Sequence, residues 1–170
     1  MEQDKESIYD AYKFSRHIIQ MKDARIIECS FENRKPFLSE QSFNIKFSLK
    51  RNVKLISSNL CHGFLNAQIH IVSKKDNELI MPIAIKSVGS FSLAEEEHLE
   101  DDEFVKQVSL QLVPQLLPYI RESLSMISYC CDLPSWPVIV SVVTWFSLEF
   151  CIMFTPGKEP VSCVQLLPWQ

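Results

Sequence analysis

The sequence predicts an α+β domain, in which a four-stranded antiparallel sheet is followed by a long, proline-bent helix and preceded by an extra N-terminal helix. Two patterns predict this fold class. Apolar residues form four consecutive strand-like segments between residues 25 and 88. From residue 104 onward they recur at helical spacing, in a segment that contains Pro114 and Pro118. A chain of 170 residues is most simply one domain with a substantial core.

The N-terminal segment predicts a helix from Ser7 to about Met21, because Ile8, Tyr12 and Ile19 lie on one helical face and Ser7 is a suitable N-cap. The second strand is the clearest, since its apolar and polar residues alternate strictly. The four predicted strands are Arg25–Glu32, Phe43–Leu49, Phe64–Val72 and Leu79–Val88, with a polar turn, Lys74–Glu78, between the last two.

Two residues of the fourth strand segment carry further information. Pro82 predicts that this point lies at a sheet edge or a bulge, because proline cannot donate to the ladder. Gly89 is either a glycine tolerated near a strand end or a site where another part of the backbone approaches closely.

The acidic run Glu95–Glu103 is interpreted as a solvated linker and helix start, where carboxylates favour the positive end of the helix dipole. A cation site is the less favoured alternative, because the run lacks the glycine and spacing of a calcium loop. The helix that follows is expected to bend at Pro114 and Pro118, with Pro118 as the first residue of a new helix that ends near Tyr129.

Composition excludes several classes of protein. Hydrophobic residues make up 46% and charged residues 22%, which indicates a globular chain and not a disordered one. The net charge of −4 and the absence of a long basic run disfavour nucleic-acid binding. Six cysteines without a CxxC pair, and a charged N-terminus without an apolar region, predict reduced thiols, no secretory signal and a cytoplasmic location.

No catalytic or metal-binding constellation is recognisable, so we expect no enzyme activity, no metal and no cofactor. The four histidines are scattered without an i,i+4 pair, and three glycines are too few for a phosphate-binding loop. Composition and periodicity alone therefore lead to a soluble α+β domain and no further.

Four landmarks nevertheless resemble the SecB chaperone family, from about Ala24 to Pro134. In chain order they are Ser30-Phe31-Glu32, Gly89-Ser90-Phe91-Ser92-Leu93-Ala94, Leu117-Pro118-Tyr119-Ile120-Arg121-Glu122 and Asp132-Leu133-Pro134. The resemblance divides a single domain into an N-terminal helical extension (residues 1–23), a SecB-like core (24–136) and a divergent hydrophobic C-terminal segment (137–170).

The resemblance implies an ATP-independent chaperone that holds unfolded chains in hydrophobic grooves and forms a dimer of dimers through its long helices and sheets. Groove candidates are Phe43, Phe47, Phe91, Leu93, Tyr119 and Trp136, although burial in the core is the simpler assignment for each. Candidates for the helical subunit interface are Pro118, Tyr119, Arg121 and Glu122.

The family has two branches, one that delivers secretory precursors to the SecA translocase and one that guards an antitoxin in a toxin–antitoxin–chaperone system. By resemblance, Glu28 and Glu32 occupy two acidic SecA-docking positions, but Ala84 and Pro82 stand where the rest of that patch would be. We therefore favour an antitoxin segment as the client. The alternatives are the SecA-linked export chaperone and a ligand-binding or adaptor module without chaperone activity.

The C-terminal segment differs from the family pattern. Pro137–Phe154 is nearly uncharged, yet it is shorter than the roughly 20 apolar residues of a spanning helix. Glu149 near its centre would cost on the order of 2.5–3.5 kcal/mol in a bilayer, so buried structure is favoured over a membrane span. The apolar tail Val161–Trp169 is expected to lie in a groove of its own or of a neighbouring subunit.

Overall fold

The computed structural model describes residues 2–34, 43–94, 97–130 and 161–165. In chain order the elements are α1 (Glu2–Ile18), β1 (Ile19–Phe31), β2 (Phe43–Ser57), β3 (Leu60–Ser73), β4 (Leu79–Leu93), α2 (Asp101–Cys130) and β5 (Val161–Gln165). The predicted N-terminal helix, four-stranded antiparallel sheet and long C-terminal helix are thus confirmed. The predicted groove residue Trp136 and the predicted buried segment Pro137–Phe154 lie outside the described residues.

All strand pairs in the sheet are antiparallel, in the order β1-β4-β3-β2-β5. The fifth strand comes from the tail that was expected to lie in a groove, and it pairs with Asn44–Ser48 of β2. The predicted turn after β3 is present, and Asn77 adopts a left-handed conformation there (φ 57°) that asparagine tolerates well.

The helix α1 ends at Ile18, before the predicted end at Met21, and β1 begins at once. Ile18 and Ile19 are both buried, and the Ile18 carbonyl accepts a hydrogen bond from the Ala94 N–H at 2.9 Å. The register of β1 against β4 shifts between Met21 and Asp23, so the start of β1 lacks a regular alternation of apolar and polar residues. The predicted boundary at residue 24 therefore falls inside β1.

The helix α2 lies across one face of the sheet, and glycines beneath it allow a close approach. Gly63 of β3 lies beneath Leu112, whose side chain would collide with an added Cβ. An added Cβ at Gly89 of β4 would lie 2.9 Å from Leu116 Cδ2, so Gly89 marks a close approach and is not merely tolerated. Gly63, Gly89 and Ala24 lie in one row across three strands. Small residues therefore form a shallow trough in which the helix rests.

Both prolines lie inside α2, which is helical without interruption from Asp101 to Cys130. The prediction that Pro118 begins a new helix is wrong. Proline removes one backbone hydrogen bond, but Leu116, Ile120 and Leu124 on either side of it are all completely buried. Their packing stabilises the helical path across the proline. The predicted acidic helix start is confirmed, since Asp101, Asp102 and Glu103 form its first turn.

Pro82 does not mark a sheet edge, because β4 lies between β1 and β3. The Pro82 carbonyl accepts a hydrogen bond from the Glu32 N–H at 3.3 Å, just beyond the end of β1. The N and O atoms of a residue in an antiparallel strand point to the same neighbour. An N–H at Pro82 would therefore point toward the residues that follow β1. Its absence removes no hydrogen bond between β4 and β3.

Candidate functional site

The predicted groove residues do not form one exposed surface. Three of them are buried within the described fold: Phe91 is fully buried, and Phe47 and Leu93 are 5% exposed. Phe43 and Tyr119 are half-buried, and they lie on β2 and α2 respectively. A client could contact the three buried residues only if the core opened, whereas the two half-buried ones are already accessible.

Exposed apolar side chains lie instead on the edge strand β1. Ile27 and Phe31 are 46% and 45% exposed. The register shifts between Ile26 and Glu28, so Ile27 is the extra residue of a bulge, and bulges redirect side chains. Within the part of the chain that the structure describes, β1 pairs only with β4, which leaves its outer backbone groups available for another strand.

Phe31 also borders an open depression of about 300 Å³ on the sheet. Its other walls are Ser30, Glu32, Gln68, His70, Pro82, Ile83 and Ala84. The mixture of apolar walls and polar rim suits a side chain of a bound polypeptide, and its openness to solvent does not suit an enclosed small molecule.

A second exposed apolar surface lies along the last three turns of α2. Pro118, Glu122, Met126 and Tyr129 recur at helical spacing on the side away from the buried Ile120. Met126 is 65% exposed and Tyr129 is 89% exposed. Methionine adapts its shape to many partners, and tyrosine is common in protein interfaces. We call this surface the α2 stripe.

The four predicted interface residues divide between two sides of α2. Pro118 and Glu122 belong to the α2 stripe, and Tyr119 lies half-buried beside it. Arg121 is half-buried, and its Nε is buried without a hydrogen-bond acceptor among the described residues.

The two acidic residues predicted to dock SecA are both exposed, but each lies beside a basic residue. Glu28 is directly opposite Lys86 in the register of β1 and β4. The Glu32 carboxylate accepts a hydrogen bond from Arg34 Nε at 2.8 Å. Each of these carboxylates thus has a basic neighbour in the described structure.

The described cysteines differ in accessibility. Cys61 is completely buried, and burial, with a smaller effect of the Asp101 carboxylate, raises the pKa of its thiol to about 11. Burial also raises the pKa of the Cys29 thiol, although that residue is exposed at the end of β1. Raised pKa values disfavour thiolate nucleophiles. Among the residues that the structure describes, no three His, Cys, Asp or Glu side chains are grouped so as to hold a metal ion.

Arg51 is a half-buried cation between β2 and α2. Its Nη1 donates a hydrogen bond to the Ser109 carbonyl at 2.9 Å, and burial lowers its pKa to about 10. The contact attaches the edge of the sheet to the first half of α2. In the described ranges no helix is both long enough and apolar enough to cross a membrane.

Ile27, Met126 and Tyr129 are exposed apolar residues that were not predicted as site residues from the sequence. The neighbouring pair Ile26 and Ile27 was a usable signal, because strict alternation places only one of two adjacent residues in a core. Met126 and Tyr129 carried no such signal, since their exposure depends on the direction of the helix axis over the sheet.

Comparison of sequences finds no protein-family profile and no curated protein that matches the chain. Comparison of structures finds similarity to the SecB-like chaperone Rv1957 of Mycobacterium tuberculosis, solved in complex with a ChAD peptide from the Rv1956 HigA1 antitoxin. The TM-score is 0.63 at 13% identity, over 75% of this chain and 94% of that one. A protein of unknown function from Streptococcus agalactiae matches with a TM-score of 0.40 at 12% identity, over 68% and 92%. The first of these similarities confirms what the sequence landmarks predicted: the fold of this chain is SecB-like.

Proposed function

We propose that the protein is an ATP-independent chaperone that holds non-native polypeptide, and that its principal client is a segment of an antitoxin. The observation that carries the proposal is the similarity of fold to a SecB-like chaperone whose structure contains an antitoxin peptide. The match extends over 94% of that chain. The proposal makes this protein a binding protein of the cytoplasm and not an enzyme.

The β1 edge supplies the two features that such a holdase needs. Unpaired backbone groups bind any extended chain, and exposed apolar side chains add affinity without strict sequence selection. Ile27, Phe31 and the adjoining depression provide the apolar contacts in this structure. Of the predicted groove residues, Phe43 and Tyr119 remain candidates for client contact in their observed positions. The others would contact a client only in a larger groove; they are Phe47, Phe91, Leu93 and Trp136.

The antitoxin-guarding role is favoured over export through SecA by the charges on β1. A docking surface for a basic partner needs carboxylates that are not already neutralised. Glu28 lies opposite Lys86, and Glu32 is paired with Arg34. A non-chaperone ligand-binding role on the same fold is less favoured, because the depression beside Phe31 is open to solvent.

We further propose that copies of the chain associate through the α2 stripe into a homo-oligomer, as a dimer of dimers. The stripe exposes Met126 and Tyr129 to solvent in a single copy, which costs free energy that burial against a partner would recover.

The test measures how the protein affects the aggregation of a thermally unfolding enzyme, and how tightly it binds a labelled peptide from an antitoxin encoded beside it. We expect stoichiometric suppression of aggregation and peptide binding, both weakened about tenfold by Ile27→Asp with Phe31→Asp, since charge on the edge repels apolar segments. Ile56→Asp is the matched control, because Ile56 is 46% exposed but lies on β2.

Thermal unfolding of each variant shows that the fold is retained. If the wild-type protein neither suppresses aggregation nor binds the peptide, the chaperone proposal is wrong. If it suppresses aggregation but binds a SecA fragment and no antitoxin peptide, the export role replaces the antitoxin role.

A further inference from the structure

The two edges of the sheet differ in how they are covered. Among the described residues the outer side of β1 has no partner strand, whereas β5 covers the outer side of β2. The strand β5 is five residues long and pairs with Asn44–Ser48, which is only the first part of β2 (Phe43–Ser57). The four strands before it have 13 to 15 residues each. The β2 edge is therefore an edge like that of β1, but with a short cover.

The position of β2 does not depend on β5. The strand β2 pairs with β3 along its whole length, and its residues Ile45 and Phe47 belong to the buried core. Arg51 of the same strand donates a hydrogen bond to the Ser109 carbonyl of α2 at 2.9 Å. In the described part of the chain, β5 pairs with β2 alone. The strand β5 can therefore leave while the sheet beneath it persists, and its departure exposes unpaired backbone groups of β2.

The strand β5 begins a tail that has the composition of a holdase client. The sequence from Val161 to Gln170 contains no charged residue, and half of it is valine, leucine or tryptophan. Its first five residues lie antiparallel to β2 in extended form. Strand addition of this kind uses main-chain hydrogen bonds, which are available to any extended polypeptide. The β2 edge thus already holds an extended, uncharged segment.

We propose, on the basis of the proposed chaperone function, that Asn44–Ser48 of β2 is a second client-binding edge and that β5 is its built-in competitor. A client adds to β2 as an antiparallel strand in place of β5. One position beyond Asn44 it reaches the half-buried Phe43, which supplies an apolar contact. When no client is bound, β5 covers the edge and prevents copies of the chain from pairing edge to edge.

Attachment to the same chain makes β5 an effective competitor in spite of its length. An attached strand competes at the effective concentration set by the connecting chain, and not at the bulk concentration of the protein. A client that binds only the open edge has an apparent affinity that is reduced by the fraction of edges that are open. If about one edge in ten is open, loss of β5 tightens client binding about tenfold. The strand β5 therefore raises the affinity that a segment needs in order to be held.

The test opens the β2 edge in the full chain by Ser162→Pro with Cys163→Pro. Adjacent residues of a strand direct their N–H groups to opposite sides, so one of the two prolines removes a donor to β2. Ser162→Thr with Cys163→Val is the matched control, since it keeps both N–H groups and favours a strand. A fluorescein-labelled peptide with the sequence Val161–Gln170 measures access to the edge by fluorescence anisotropy under reducing conditions. It should bind the proline variant about tenfold more tightly than the wild type or the control.

Hydrogen exchange gives a second readout that needs no client. The amides of Asn44–Ser48 that face away from β3 should exchange faster in the proline variant than in the wild type or the control, while the amides between β3 and β4 remain protected. Thermal unfolding of each variant shows that the fold is retained.

A permanently unfolded protein tests whether the opened edge holds clients. It should compete with the labelled tail peptide for the proline variant. In the Ile27→Asp, Phe31→Asp background, where the β1 edge is impaired, the two prolines should tighten binding of the unfolded protein about tenfold. This gain is expected because the β2 edge then replaces the β1 edge.

Any of three results overturns the proposal: equal exchange of the Asn44–Ser48 amides in the wild type and the proline variant, equal affinity of both for the tail peptide, or no competition by the unfolded protein. If one of these occurs while the wild type still suppresses aggregation, the chaperone proposal stands and only the role of β5 is wrong. If the wild type suppresses no aggregation and no variant binds unfolded protein, the chaperone proposal itself fails.

Discussion

The two faces of the sheet are built from the same strands but have opposite properties. On the inner face, Gly63 and Gly89 form a trough beneath α2, and the ring of Phe91 lies against the space above both glycines. On the outer face, Phe64 and Val88 in the same stretch of β3 and β4 lie among lysines and remain partly accessible. Successive residues of a strand point to opposite faces of the sheet, so neighbouring residues of the same strands line these two environments.

The comparison shows where this chain has freedom to change its function. The inner positions Gly63 and Gly89 are constrained by close contacts, and even a methyl group at Gly63 collides with Leu112. Outer positions contact few neighbours, so a substitution there alters charge and recognition at little cost in stability. Docking specificity can therefore vary on one face while the other preserves the fold.

The largest expected difference between the faces is between two phenylalanines. Phe91→Ala should lower the free energy of unfolding by about 3–5 kcal/mol, because it removes a fully buried ring from the inner face. Phe64→Ala on the outer face should lower it by about 1 kcal/mol. Urea unfolding of both variants measures the two values, and similar losses would show that the outer face is packed as tightly as the inner one.

A smaller loss is expected from filling the trough. Gly63→Ala should cost about 1–3 kcal/mol, because the new methyl group must displace Leu112 and the Phe91 ring. Gly89→Ala should cost less, since the added Cβ would lie 2.9 Å from Leu116 Cδ2 and from the Phe91 ring, a less severe overlap than that of Gly63 with Leu112.

A double-mutant cycle tests the cause of the loss. In the Leu112→Ala background the added cost of Gly63→Ala should shrink, because the colliding atoms are gone. Equal costs with and without Leu112 would mean that α2 does not rest in the trough.

The smallest effect concerns the thiol of Cys61 on the inner face. Its pKa is raised from the ordinary value of 9.0 to about 11, so the neutral thiol stabilises the fold below pH 9 and that stability is lost as the pH rises to 11. At pH 10 the loss should be about 1 kcal/mol. Unfolding of Cys61→Ala across this range should show a flatter pH dependence than the wild type, and equal slopes would contradict the prediction.

Much of the fold could be predicted because local pattern and tertiary packing agree. Phe43–Leu49 alternates strictly and became part of β2. The first strand begins at Ile19 and not at the predicted Arg25. Two register shifts interrupt its alternation, and such bulges depend on the partner strand, which the local sequence does not show. Without the shift at Ile27, Glu28 would face the core, so the outward direction of Glu28 could not be derived from β1 alone.

The candidate site was less predictable, since it depends on register and on the position of α2. Phe91 and Leu93 were chosen for their apolar side chains, but that same property led to their burial. The outer face of the sheet combines residues from four strands that are far apart in sequence, and only the registers bring Lys50, Phe64 and Lys86 together. The role of Gly63 could not be predicted, because nothing in the sequence of β3 indicates which helix would cross that strand.

The position of α2 also has a consequence for synthesis. The helix α2, which covers the sheet, follows β1 to β4 in the chain. Gln111 Nε2 of this helix donates a hydrogen bond to Ser15 Oγ at 2.6 Å, across 96 residues of sequence. Contacts so distant in sequence slow folding. Until α2 leaves the ribosome, the inner face has no helix from the later chain to cover it. During its own synthesis, the protein passes through a state with the exposed apolar surface that we propose it recognises in its clients.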